Sequence, residues 1–150
     1  MTGRRGRATA TGALAVAVVV LLCSAAGGAA GAKLVLGSKQ FEAPYGEGWG
    51  TAEPEHLFKG GGATGYIDEI HWRSWGGATA IGWGKTVLLK PGGGFYDRPG
   101  VVKLRAEDIG ECGGRRAYRH LSVRRPSRPG GRLGRWRSWI PRAENLCHRD

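Results

Sequence analysis

From Tyr66 to Lys90 the chain reads YIDEIHWRSWGGATAIGWGKTVLLK, and its first nine residues alternate. Tyr66, Ile70 and Trp72 fall on one side of an extended chain, with Glu69, His71 and Arg73 on the other. That period of two predicts a half-buried strand over Tyr66–Ser74. Gly76-Gly77 ends it, and Ala78–Trp83 and Thr86–Leu89 follow across Gly82 and Gly84, a glycine-punctuated meander. Val101–Ala106 alternates again, Val102, Leu104 and Ala106 against Lys103 and Arg105. Arg116–Val123 sets Ala117, Leu121 and Val123 opposite Tyr118, His120 and Ser122. Lys33–Gly37 (KLVLG) is either a first short strand or a processed terminus, and Arg135–Trp139 is the last ordered piece. Between Ser38 and Gly65, Pro44, Gly46, Gly48, Gly50, Pro54 and Gly60-Gly61-Gly62 leave room for at most a helical turn or two. These would lie over Thr51–Phe58, with Thr51 as cap and Leu57 and Phe58 turned inward. Six or seven short strands predict an all-β fold, a small antiparallel sandwich or barrel.

The first 32 residues follow a different pattern. Arg4, Arg5 and Arg7 precede an apolar run from Ala13 to Leu22, and small residues end at Ala30-Gly31-Ala32. This is the three-part form of an export signal, with cleavage expected after Ala32. The apolar run is shorter than the roughly 20 residues that span a bilayer, and no charge cluster follows to stop transfer. Leu22 before Cys23 is too bulky for a lipoprotein signal, and Gly6-Arg7-Ala8 lacks the apolar residues expected after a twin-arginine pair, so the general secretory route is expected. Residues 33–150 then form one secreted β-rich domain.

Charge divides that domain. Residues 33–114 hold 9 basic and 10 acidic side chains, whereas residues 115–150 hold 11 arginines, no lysine, and only Glu144 and Asp150 as acids. Once Cys23 is removed, Cys112 and Cys147 are the remaining thiols, and in an exported chain they are expected to pair. Closing a loop of that length contributes roughly 3 to 4 kcal/mol on the chain-entropy account. The bridge encloses ten of the eleven C-terminal arginines, so residues 115–150 read as a tethered basic lobe packed on the body.

Local motifs for catalysis are missing. Gly84-Lys85-Thr86 has Thr79 where a phosphate-binding loop needs its first glycine, and strands surround it, so no nucleotide site is expected. His56, His71, His120 and His148 show no zinc-motif spacing, and no metal or other cofactor is expected. Glu53/Glu55, Asp68/Glu69 and Glu107/Asp108 are too close in sequence to face each other across a glycosidase cleft. Ser74 lacks the Gly-x-Ser-x-Gly elbow. A hydrolase would have to assemble His71 or His120 with a carboxylate such as Asp68, Glu69 or Asp108 in space.

Trp72 lies on the apolar strand face, while Trp49, Trp75 and Trp83 sit beside glycines where rings could cover the core or lie flat and exposed. Trp136 and Trp139 are interleaved with Arg132, Arg135, Arg137 and Arg142. Guanidinium pairs with phosphate in a fork and indole favours membrane interfaces, so this mixture suits an anionic, partly apolar surface. The tetrapeptide Trp-Arg-Ser-Trp occurs at Trp72–Trp75 and Trp136–Trp139, too short to establish a duplication.

Ser74-Trp75-Gly76-Gly77-Ala78-Thr79-Ala80-Ile81-Gly82, Lys90-Pro91-Gly92-Gly93-Gly94 with Phe95-Tyr96, and Trp136-Arg137-Ser138-Trp139 with Cys147 resemble a group of small exported actinobacterial proteins of unassigned function. The resemblance covers most of residues 33–150. It implies export and compactness and brings no catalytic residues.

The sequence therefore points to a secreted, non-catalytic, disulfide-closed domain that binds an anionic envelope polymer or membrane surface. The binding residues are Arg115, Arg116, Arg119, Arg124, Arg125, Arg128, Arg132, Arg135 and Arg137, with Trp136 and Trp139. Two rivals are the small extracellular hydrolase above and a protein-interaction module built on Trp49, Trp75 and Trp83. Nucleic acid matches the charge, but no element for reading bases is visible and an exported protein does not meet it.

Overall fold

A computed structural model describes residues 33–143 and 145–147; the export signal read in residues 1–32, together with Glu144 and His148, lies outside them. Seven strands make up the fold: β1 (Val35–Leu36), β2 (Leu57–Phe58), β3 (Tyr66–Ser74), β4 (Ala80–Thr86), β5 (Gly100–Cys112), β6 (Arg115–Arg124) and β7 (Arg137–Ser138). One 3-10 turn, Ala63–Gly65, is the helical element among the described residues. The sheet order is β1-β6-β5-β4-β3-β2, with β7 also on β6. All pairings are antiparallel except β1 with β6.

This sheet curls until its edges are tied through one segment. Glu47 exchanges two backbone hydrogen bonds with Phe58 of β2, and a few residues on, Gly50 donates to Leu36 of β1 while Leu36 donates to Thr51. Inside the curl, Leu36, Leu57, Ile67, Ile70, Val102, Leu104, Tyr118 and Leu121 form a continuous buried core. Val102, Leu104 and Ala106 face inward as their alternation predicts. The expected disulfide is present, Cys112 to Cys147, joining the end of β5 to the C-terminal segment.

Several elements depart from the sequence reading, each for a local reason. On β3 the inward residues are Ile67, Ile70 and the half-buried Trp72, with Ile67 in the place expected of Tyr66. Between the pairs Asp68–Lys85 and His71–Trp83 the strand carries one extra residue, and Glu69 takes φ +48° there. A bulge of this kind resets the parity, so two isoleucines three apart share one face. Tyr66 instead stacks on Phe58, ring centroids 3.9 Å apart.

Gly82 and Gly84 do not end strands; they lie inside β4. A Cβ at Gly82 would sit 2.9 Å from the Trp72 ring, and one at Gly84 2.7 Å from Ile67. Large side chains of β3 lie directly over this backbone, so glycine is needed for closeness rather than for turning. Of the meander expected as Ala78–Trp83 and Thr86–Leu89, Ala80–Thr86 is one strand, and Val87–Leu89 lie beyond its end with Leu89 in an isolated bridge to Phe95. Thr51–Phe58 forms no helix and ends in β2. The tight turn comes later, at Gly113-Gly114, both at positive φ, between β5 and β6.

The basic segment begins as β6, fully incorporated in the sheet. Tyr118, expected on the polar face, is among the largest fully buried side chains. Its hydroxyl accepts from the Gly76 amide at 3.0 Å and donates to the Gly77 carbonyl at 2.6 Å, while Trp75 packs edge-on against its ring. Burial pushes this phenol above its ordinary value, against a smaller opposite effect of the Gly76 bond, so it remains a donor.

Tyr118→Phe removes both hydrogen bonds that tie the exposed Gly76-Gly77 turn to the core. With the turn open to water, the loss is expected to lower the urea unfolding free energy by about 1 kcal/mol with an unchanged denaturant slope. An unaltered midpoint would show that water replaces the phenol at no cost.

Candidate functional site

After β6 the chain leaves the sheet at Arg125-Pro126 and turns back through Leu133 and Gly134, with Pro126 bridged to Leu133 and Gly134 donating to the Arg125 carbonyl. It re-enters as β7, where Arg137 pairs with Val123 and Ser138 with Ser122, and Trp139 then donates to the Leu121 carbonyl. Extended geometry alternates the side chains of this return. Arg135, Arg137 and Trp139 line a cleft of about 560 Å³ with Lys59, Val123 and Arg125. Trp136 goes to the other side, over the guanidinium groups of Arg105 at 4.7 Å and Arg124 at 5.8 Å.

Among the described residues the lining holds four cations, Lys59, Arg125, Arg135 and Arg137, and no acid. Arg125 is the feature that sets it apart. Its Nε and Nη2 are buried and have no hydrogen-bond acceptor among the described residues. Burial of the charge lowers its pKa from the ordinary arginine value. The indole Nε1 of Trp139 is likewise buried without an acceptor, with its ring 5.7 Å from that of Trp49. Lys59 donates to the Trp139 carbonyl at 2.8 Å and sits 5.3 Å from its ring centre. Its pKa is lowered, chiefly by burial and next by the Arg125 charge, with Glu42 acting in the opposite sense.

Buried donors are normally satisfied, and an unpaired buried charge is costly. Three N–H groups without acceptors belong to residues that line this cleft, and an anion could satisfy them once the side chains that cover them turn aside. The chemistry the guanidinium groups offer is bidentate hydrogen bonding and charge neutralisation.

Of the eleven residues read from the sequence as binding, Arg125, Arg135, Arg137 and Trp139 converge here. The others are dispersed. Arg115 donates to the Gly50 carbonyl at 3.1 Å near the disulfide end, and Arg119 pairs with Asp108 at 2.9 Å. Arg124 is held by the Gly134 and Leu133 carbonyls at 2.7 and 3.3 Å, and Trp136 lies over it. Arg128 borders a separate shallow pocket with Tyr96 and Arg98, and Arg116 and Arg132 are exposed. Sequence reasoning missed Lys59. It is the one basic residue between Lys39 and Arg73, a weak signal that only the folded chain turns into a neighbour of Arg125.

The other candidates look different in three dimensions. Trp49 is buried, and Trp75 is half-buried with its Nε1 donating to the Leu34 carbonyl at 2.9 Å; Trp83 is exposed beneath Lys103. These three rings do not form one exposed patch. His71 is exposed, while His120 Nδ1 lies 3.4 Å from Glu107, a carboxylate already engaged by Arg105 at 3.0 Å. The histidine that meets carboxylates most closely is His56, between Asp68 on Nδ1 and Glu47 at 2.8 Å from Nε2. Among the described residues no group of three His, Cys, Asp or Glu side chains could hold a metal, and no helix is long and apolar enough to cross a membrane.

Fold and site together define a curled all-β protein with one disulfide and a cationic cleft beside β6. Set against protein families, curated proteins and solved structures, the chain matches none of them.

Because Lys59 has a lowered folded pKa, the unfolded chain binds its proton more readily across the interval between that lowered value and the ordinary 10.5. Stability contributed at this position is therefore expected to rise with pH through that interval. Denaturant unfolding of the wild type and Lys59→Met at neutral and at alkaline pH checks this, since the comparison cancels other titrating groups. The wild type should gain on the variant as pH rises; a constant difference would contradict the burial of the ammonium group.

Proposed function

We propose that this protein is a secreted, non-catalytic binding protein that captures an anionic polymer or surface of the cell envelope, seating an anionic group of it in the Arg125 cleft. The observation that carries this reading is the buried guanidinium edge of Arg125, which has no acceptor among the described residues, in a cleft whose described lining contains four cations and no acid. Export is supported by the basic, apolar and small-residue order of the first 32 residues and is consistent with a disulfide-closed fold.

The exposed arginines then act differently from Arg125. Arg116 and Arg132, both exposed, raise the local concentration of an anionic chain and lose that effect as salt screens them. Arg125 supplies short-range recognition, which salt weakens less because the group is out of bulk water. Residues 33–150 carry 20 basic against 12 acidic side chains, so the long-range field favours an anionic partner as well.

Sedimentation of the oxidised protein with purified envelope material, intact or stripped of its anionic polymers, across a salt series tests the reading. Binding is expected to fall with salt and to vanish on stripping. Arg125→Met should weaken it by roughly tenfold or more while leaving the melting temperature equal or higher, because an unpaired buried charge is removed. No binding at low salt, or full binding by a folded Arg125→Met protein, would overturn it.

A further inference from the structure

We propose that the group seated in the cleft is a single phosphate ester, taken by the Nε and Nη2 edge of Arg125 with its alcohol portion against the apolar wall; this rests on the reading of the cleft as an anion site. Nε–H and the Nη2–H beside it lie on one edge of the planar guanidinium and point the same way. They match two oxygens of one anion, a geometry shared by carboxylates and phosphates. What separates the two is the rest of the cleft.

A carboxylate has two oxygens in one plane, and the Arg125 edge uses both. The cleft offers more donors than that. Lys59 uses one of its three N–H bonds on the Trp139 carbonyl, leaving two, and the Trp139 indole N–H has no acceptor. Arg135 and Arg137 add two further guanidinium groups to the lining. A tetrahedral anion presents its remaining oxygens away from the Arg125 edge, where a planar carboxylate has none. Charge points the same way, since a phosphate monoester carries close to two negative charges at neutral pH against four cations in the lining.

Size argues for an ester over the bare ion. A cleft of about 560 Å³ falls in the range of small-molecule sites and is larger than one phosphate needs. Val123, Pro141 and the Trp139 ring supply apolar wall beside the charges. An anion attached to a short polyol or alkyl stem fills both parts of such a site.

The test is displacement of the oxidised protein from envelope material by small anions at fixed ionic strength, with binding of each anion also measured by calorimetry. Glycerol phosphate should compete at one site, inorganic phosphate more weakly, and glucuronate and acetate not at all. Arg125→Lys keeps the charge but loses the paired edge, and should weaken glycerol phosphate binding by roughly ten- to a hundredfold, whereas Arg73→Lys on the exposed side of β3 should not. Its melting curve verifies that Arg125→Lys is folded. Phosphatidic acid vesicles at equal phosphate distinguish the source: competition stronger than that of glycerol phosphate assigns the monoester to a lipid headgroup, and weaker competition to a free or polymer-terminal one.

Glucuronate competing as well as glycerol phosphate would overturn the phosphate assignment. So would envelope binding that Arg125→Met abolishes but no phosphate ester displaces, a result that leaves the anion site itself standing. Failure of both the polymer and every small anion to bind would overturn the anion site as well.

Discussion

The structure depends on completing the second edge of β6. Its first edge is saturated by β5 over nearly its whole length. Its other edge has no single partner, and three separate pieces of chain fill it in turn. β1 pairs in parallel at Ala117 and Tyr118, Leu146 donates to the Arg119 carbonyl, and the β7 return takes Leu121 to Val123. Backbone groups of a buried strand cannot be left unpaired without cost, so this one requirement draws both ends of the described chain to the same strand. Cys147 follows Leu146 directly, and the disulfide locks that piece to the end of β5. The cleft is the space left where the third piece turns back.

That geometry explains why the Nε and Nη2 edge of the half-buried Arg125 is closed off from water. Its carbonyl is held by the Gly134 amide, and Pro126 is bridged to Leu133, so the backbone cannot swing outward to return the guanidinium to water. Lys59 is anchored separately through the Trp139 carbonyl, which brings two like charges to one cleft. Each of these placements opposes stability by itself, and the continuous core and the disulfide offset them. Proteins that otherwise satisfy local rules tend to break them where a ligand is expected to restore the balance. Trp136 shows the contrast: its ring lies between Arg105 and Arg124, whose charges are shared with an aromatic face and, for Arg124, with two carbonyls.

Much of the fold was legible because period-two burial holds wherever strands are regular. Val102, Leu104 and Ala106 are inward, and the single disulfide was readable from the pairing of two remaining cysteines. Legibility failed at irregularities. One extra residue at Glu69 exchanged Tyr66 for Ile67, which no alternation rule anticipates. Gly82 and Gly84 looked like breaks because a sequence does not show that Trp72 and Ile67 will lie over them. Tyr118 looked polar because its hydroxyl partners, Gly76 and Gly77, are about forty residues away. For the site, the basic segment was read as one surface. Strand alternation divides Arg135, Arg137 and Trp139 from Trp136, and the fourth cation, Lys59, arrives from a glycine-rich stretch far earlier in the chain.

The central claim is that Arg125, and not the basic surface as a whole, makes the specific contact. Titrating the isotopically labelled protein with soluble envelope polymer while following the arginine Nε–H resonances tests it most directly. The account predicts that the Arg125 signal shifts strongly and saturates at one equivalent of bound groups, with small, salt-sensitive changes at Arg116 and Arg132. An unmoved Arg125 signal alongside saturating shifts at the exposed arginines would contradict it and make the binding a property of surface charge alone.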